Sequence, residues 1–229
     1  MTSVDNAAAA TEYRAARHRM VGLAAALGAV DAERVVGACP AWTVKDLFSH
    51  VTGIAVDLAA GNRPQGDPQV WVDRQVAERS PRSLAEVVDE WRAAGPAFEA
   101  MIEARPDRLW GLTYDLVVHE HDLRNAIGDR SGRDTSGVAL AARLGLRLVA
   151  MDLAARGLPG VRVVIDGEEH LVGDGAPAVT LNATPFEALR ILGSRRTVAE
   201  IRDARFEGDL DAVIGGLLHM NPPVASLGE

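Results

Sequence analysis

The chain has one cysteine, Cys39, and one lysine, Lys45, in 229 residues. A lone cysteine excludes an intrachain disulfide. No stretch approaches the ~20 consecutive apolar residues that a membrane-spanning helix needs, so no membrane partner is expected. An excess of basic charge is missing as well. The formal net charge is −8, with 20 acidic against 15 basic side chains in residues 1–135 and 12 against 9 in residues 136–229. Neither part carries the electrostatic footprint of phosphate-backbone binding, which argues against a nucleic-acid partner. Residues 1–10 lack the positive n-region and apolar core of a signal peptide. Together with the single thiol, this predicts a cytoplasmic location. Neither a Gly-rich phosphate loop nor a Gly-x-Ser-x-Gly elbow occurs.

What is present is ordinary globular composition, 48% hydrophobic and 24% charged, in a length that serves one large domain or two small ones. All but one of the 24 basic residues are arginine. With so much alanine, that bias is the mark of GC-rich codon usage and points to a bacterial source.

Apolar periodicity predicts a helix over residues 11–27, with Tyr13, Ala16, Met20, Leu23 and Leu27 on one stripe. Thr43, with Asp46 three residues on, reads as an N-cap. Val44, Leu47, Phe48, Val51, Ile54 and Leu58 follow it at helical spacing. A loop over 63–68 leads to a short segment containing Trp71, Arg74 and Gln75, read as a surface turn. Ser83 caps a third helix through Val87, Trp91, Phe98 and Ile102, which Gly95-Pro96 should kink or break. A fourth helix spans about 108–127 and stops at Gly128. A connector over 132–137 and a helix over 138–155 come next. Short strands are then predicted at 161–165, 171–172 and 178–181, with an Asp166-Gly167 turn signal. Helices are expected at 185–192 and 209–219. The pattern predicts an α+β protein, mainly α: a four-helix bundle over residues 1–135 and a small α/β domain over 136–229.

Candidate chemistry lies on the second and fourth helices. Asp115 and His119 are four residues apart, so on a helix they share a face. Alone, that spacing is equally an acid–imidazole pair worth a few tenths of a kcal/mol. His50, on or beside the Leu47/Val51/Ile54 face, supplies a third donor. Two histidines and a carboxylate are a common set for a divalent metal, zinc or another, with an open position. Helical bundles build such sites from inward-facing side chains. Asp122 could orient His119 or add a fourth ligand. His121 points elsewhere and reads as solvent-facing or as a support to the ligands. Cys39 reads as structural, Trp42 as a packing staple, and Arg195-Arg196 as an exposed basic pair. His18, His170 and His219 have no companion at ligand spacing. No catalytic or cofactor-binding residue is assigned.

The stretch from Cys39-Pro40-Ala41-Trp42-Thr43-Val44 to Asp46-Leu47 and His50, with Asp115, His119 and Asp122-Leu123-Arg124, resembles the mycothiol-dependent maleylpyruvate isomerase family. The N-terminal part of that family belongs to the DinB-like four-helix bundles. Phe186 to Leu192, Ser194-Arg195-Arg196-Thr197 and Phe206-x-Gly208-Asp209 resemble its C-terminal part, which is similar to small sterol-carrier-like domains. Ser194 stands where the family has Gly, and Phe206 where Trp is common. The resemblance puts the family's metal triad on His50, Asp115 and His119, with Asp in place of the usual Glu. It implies a metal-binding protein that acts, as a transferase or isomerase, on a small electrophilic substrate with mycothiol, a low-molecular-weight thiol. A non-catalytic binding module with a structural or vestigial metal site, and a metal-dependent hydrolase, stay open beside it. The oligomeric state is not readable.

Overall fold

A computed structural model describes residues 3–229 of the chain. They form two compact units, divided between Ser131 and Gly132. No helix among the described residues is long and apolar enough to cross a membrane.

The first unit runs α1 (Ser3–Ala24), α2 (Ala29–Ala32), β1 (Val35–Val36), β2 (Cys39–Thr43), α3 (Val44–Ala59), α4 (Pro68–Arg79), α5 (Leu84–Ala104) and α6 (Pro106–Ala126). The long helices α1, α3, α5 and α6 make the bundle, α1 packing on α5 and α6, and α3 on α5. Its centre is Tyr13, Met20, Leu47, Phe48, Trp91 and Phe98, all buried. Tyr13 meets Phe98 edge to face at 5.1 Å between ring centroids. Such rings dominate the apolar burial that drives folding.

Local sequence explains the helix starts. The Thr43 hydroxyl accepts from Asp46 N at 3.2 Å, and Asp46 Oδ2 accepts from Thr43 N at 3.0 Å. This reciprocal capping box fixes the entry to α3. Ser83 and Glu86 repeat it at α5. Pro106 occupies the first turn of α6, where its missing N–H costs nothing. Gly128, at φ +75°, turns the chain out of α6.

Three expectations need correction here. α5 runs unbroken through Pro96. Val87 and Trp91 before it, and Phe98 and Ile102 after it, are all buried, so packing on α1 and α3 keeps both sides of Pro96 helical. Trp71, Arg74 and Gln75 lie on the helix α4 rather than in a surface turn, behind an N-cap from Asp67. Finally, the first unit is not purely helical. Val35 pairs with Thr43 and Val36 with Cys39 in a two-stranded antiparallel ribbon.

The second unit contains α7 (Ser136–Arg156), β3 (Gly160–Ile165), β4 (Glu168–Val172), β5 (Pro177–Ala183), α8 (Pro185–Leu192), α9 (Val198–Asp203), β6 (Phe206–Gly208) and α10 (Ile214–Leu217). The sheet order is β4-β3-β5-β6, parallel only between β3 and β5. Asp166 and Gly167, at φ +49° and +86°, make the tight turn joining β3 to β4. α7 and α8 pack together, burying Leu140, Leu144, Leu189 and Leu192. The helix expected over 209–219 shrinks to the four residues of α10. Asp209 Oδ1 accepts from Ala212 N at 3.2 Å and caps the turn that leads into α10. A Cβ on Gly216 would stand 2.5 Å from Leu153 Cδ2, so close packing has taken precedence over helix propensity.

Candidate metal centre

α3 carries His50 and α6 carries Asp115, His119 and Asp122, on helices that pack against each other. His50 and His119 are buried, at 6% and 5% exposed, while the Asp115 side chain is 39% exposed. The cluster is therefore closed on its histidine side and open on its carboxylate side. Its ligand atoms all lie within 4.8 Å of one another. His50 Nε2 is 3.7 Å from Asp115 Oδ2, and His119 Nε2 is 3.6 Å from Asp115 Oδ1. Ligands bound at about 2.1 Å to a tetrahedral cation stand about 3.4 Å apart. The donor set thus fits a divalent ion with little movement, even with the short arm of Asp115.

Each imidazole is held differently. His119 Nδ1 lies 3.0 Å from Asp122 Oδ2, a carboxylate fully buried behind the ring. An Nδ1–H donated to Asp122 leaves Nε2 as the lone-pair donor toward the cluster, the arrangement common in metal sites. His50 Nδ1 is buried and finds no hydrogen-bond partner among the described residues. The two rings cross at 80°, 5.2 Å apart, and Trp42 lies 4.8 Å from His50 and 5.9 Å from His119. Trp42 is more than the staple its position in the sequence suggests, since it walls both imidazoles.

The field of the cluster favours positive charge. Burial works against protonation of His119, but Asp115, Asp122 and the Cys39 thiol outweigh it, and the pKa is pushed up to about 10. At His50 burial is the largest influence and dominates the pull of Asp115, lowering the pKa. Two carboxylates around buried imidazoles make a centre that attracts a cation.

The remaining candidates distribute as follows. His121 is buried, not solvent-facing, and belongs to neither metal-spaced group. Cys39, half-buried on β2, lies 4.0 Å from Asp122 Oδ2 and forms with His119 and Asp122 a second group at ligand spacing. Sequence reasoning missed this neighbourhood. The one available signal was Cys39 lying just ahead of the Trp42-Thr43 start of the ligand-bearing helix. Gln75 and Arg74 bond Asp57, each at 2.7 Å, so α4 is tied to α3 and away from the cluster. His18 lies against Arg17, His170 near Glu168 and His219 near Asp152. Arg195 and Arg196 are buried in the second unit rather than exposed.

A helical bundle with a two-histidine, one-carboxylate cluster, joined to a separate mixed α/β unit, defines the class of protein. Residues 13–124, most of the first unit, match the family model described as the Mycothiol maleylpyruvate isomerase N-terminal domain. Two solved structures share the fold. A crystal structure of a histidine-to-alanine mutant of the mycothiol-dependent maleylpyruvate isomerase aligns with a TM-score of 0.61 at 11% identity, over 81% of this chain and 88% of that one. A second crystal structure of the mycothiol-dependent maleylpyruvate isomerase gives 0.55 at 10% identity over the same shares. No curated protein matches the chain in sequence.

Proposed function

We propose that His50, Asp115 and His119 hold a divalent cation, zinc by their donor chemistry, and that the protein is a transferase or isomerase using mycothiol on a small electrophilic substrate in the cytoplasm. The observation that carries this reading is the convergence of three donor atoms within 4.8 Å. The family model that the first unit matches, and the mycothiol dependence of the solved structures that share its fold, support the choice of co-substrate. When bound, the cation supplies the charge that ionises a coordinating thiol near neutral pH. The chain's own residues do the rest. Asp122 holds the Nδ1 proton of His119 so that Nε2 faces the cluster. Trp42 covers the two rings and keeps water from their faces. Asp115, on the open side, leaves room for a thiol to approach from solution. Cys39 stands behind His119, on the Asp122 side, and is not the nucleophile.

Metal analysis of protein purified without a metal-binding tag should give one divalent ion per chain, lost in His50→Ala and His119→Ala and kept in His121→Ala. With cobalt bound, adding mycothiol should produce a sulfur-to-metal charge-transfer band that persists in Cys39→Ser. A cobalt spectrum unchanged by millimolar thiol would remove the thiol chemistry and leave a hydrolase or a binding module. A metal-free chain after zinc titration would remove the centre itself.

A further inference from the structure

The pair Arg195-Arg196 is buried together with a third guanidinium, Arg190 of α8. Arg190 is fully buried and pairs with the side chain of Glu229, itself 2% exposed. Arg190 Nε donates to Glu229 Oε2 at 2.7 Å and Arg190 Nη2 donates to Oε1, a two-pronged clasp on one carboxylate. Arg196 Nη1 donates to the same Oε2 at 2.6 Å. Arg196 also holds Glu187 through Nη2 at 3.0 Å. Arg195 Nη1 donates to the Gly193 carbonyl at 2.7 Å.

The two sides of this clasp differ in kind. Arg190 is anchored in a helix, and Arg196 follows the left-handed turn at Ser194, φ +57°. Glu229 belongs to residues 218–229, which form neither helix nor strand. That segment is pinned at Met220 N, which donates to Ser194 Oγ at 3.0 Å, and at Ser226 Oγ, which donates to Glu200 Oε1 at 2.6 Å. Stripping one partner from a buried ion pair is far more costly than the pair is worth, so the clasp demands an anion. A group taking the place of Glu229 therefore has to be a planar, bidentate anion.

The geometry points to a carboxylate-binding site formed by Arg190 and Arg196, for a small-molecule ligand carrying a monoanionic carboxylate. The Glu229 side chain is its occupant in cis, and residues 218–229 are a strap that such a ligand displaces. The site uses none of the residues of the candidate metal centre and stands whether or not a cation binds there.

The test is chemical rescue in the full chain. Glu229→Ala should melt several degrees below wild type, and formate or acetate should raise its Tm saturably by several degrees. Chloride at equal ionic strength should leave it unchanged, and phosphate should act more weakly than acetate. The rescue should be absent from the double variant Glu229→Ala/Arg190→Met. In wild type, where the ligand must first displace the strap, acetate should quicken limited chymotryptic cleavage at Leu227, and a cleavage rate unchanged by acetate would overturn the displacement. Equal effects of acetate and chloride, or an acetate shift that survives in the double variant, would overturn the proposal. A phosphate shift larger than that of acetate would overturn the carboxylate assignment. If Glu229→Ala yields folded protein only in acetate, that recovery is itself the rescue. If it yields none in either buffer, Glu229→Gln goes through the same titration and is judged by the same outcomes.

Discussion

Asp122 is one residue whose role can be separated from its neighbours. Its carboxylate fixes which nitrogen of His119 carries the proton, and Asp122→Asn keeps the shape while losing that control. Loss of such a support typically weakens metal binding about 10–100-fold. Competition with a chelating dye should show this drop while far-UV circular dichroism stays unchanged. An unchanged affinity would reduce Asp122 to a packing charge. The same imidazole governs a pH dependence in metal-free protein. His119 has its folded pKa raised to about 10, above about 6.5 in the unfolded chain. Its protonated form therefore stabilises the fold fully below about 6.5, and that contribution is lost as pH rises through about 10. His50, lowered by burial, acts in the opposite sense, since the unfolded chain takes up its proton first as pH falls. Urea midpoints of chelator-treated protein should decline on the alkaline side, and His119→Ala should flatten that decline.

At the scale of elements, the joint between α3 and α4 is tight enough to predict from. A Cβ on Gly53 would stand 2.6 Å from Gln75 Cβ, close to a backbone that cannot swing aside. Gly53→Ala should push α4 off α3, strain the Gln75–Asp57 bond, and cost about 1–3 kcal/mol, as overpacking does. Denaturant unfolding measures it, and a neutral result would mean α4 is loosely held. This joint also marks where reading the sequence stops. α3 is legible because an apolar stripe follows a capping pair, and His50 with Asp115 and His119 is legible because helical spacing predicts shared faces. α4 is not legible, because the residues it buries are Gln75 and Arg79, polar side chains whose N–H groups are held by Asp57 of α3 and Glu90 of α5. The ribbon of β1 and β2 is too short to show alternation, and Pro40 sits inside it. Arg195-Arg196 looks exposed in sequence because Glu229, one of the carboxylates that neutralise Arg196, lies more than thirty residues away. Local pattern reports faces and ends; it cannot report which distant charge completes a buried pair.

For the whole molecule, all three candidate ligands, the supporting Asp122 and the walling Trp42 lie within residues 1–131, one of the two compact units. Residues 1–131 expressed alone should fold to a helical unit and bind one divalent ion with the affinity of the full chain. Calorimetric titration with zinc checks this. A folded fragment that fails to bind would show that the second unit contributes to the centre. The acidic balance of the chain, −8 overall, favours approach of a cation and disfavours polyanionic partners.

The position of Trp42 has an optical consequence. Its indole lies within contact range of both imidazoles, whereas Trp91 packs on Phe48 in the bundle core. An open-shell ion such as Co²⁺ held by those imidazoles would drain the excited state of this indole far more efficiently than that of a distant one. The emission of the native chain is thus a built-in gauge of occupancy. It needs no attached dye, and Trp42→Phe should switch it off while leaving the ion bound.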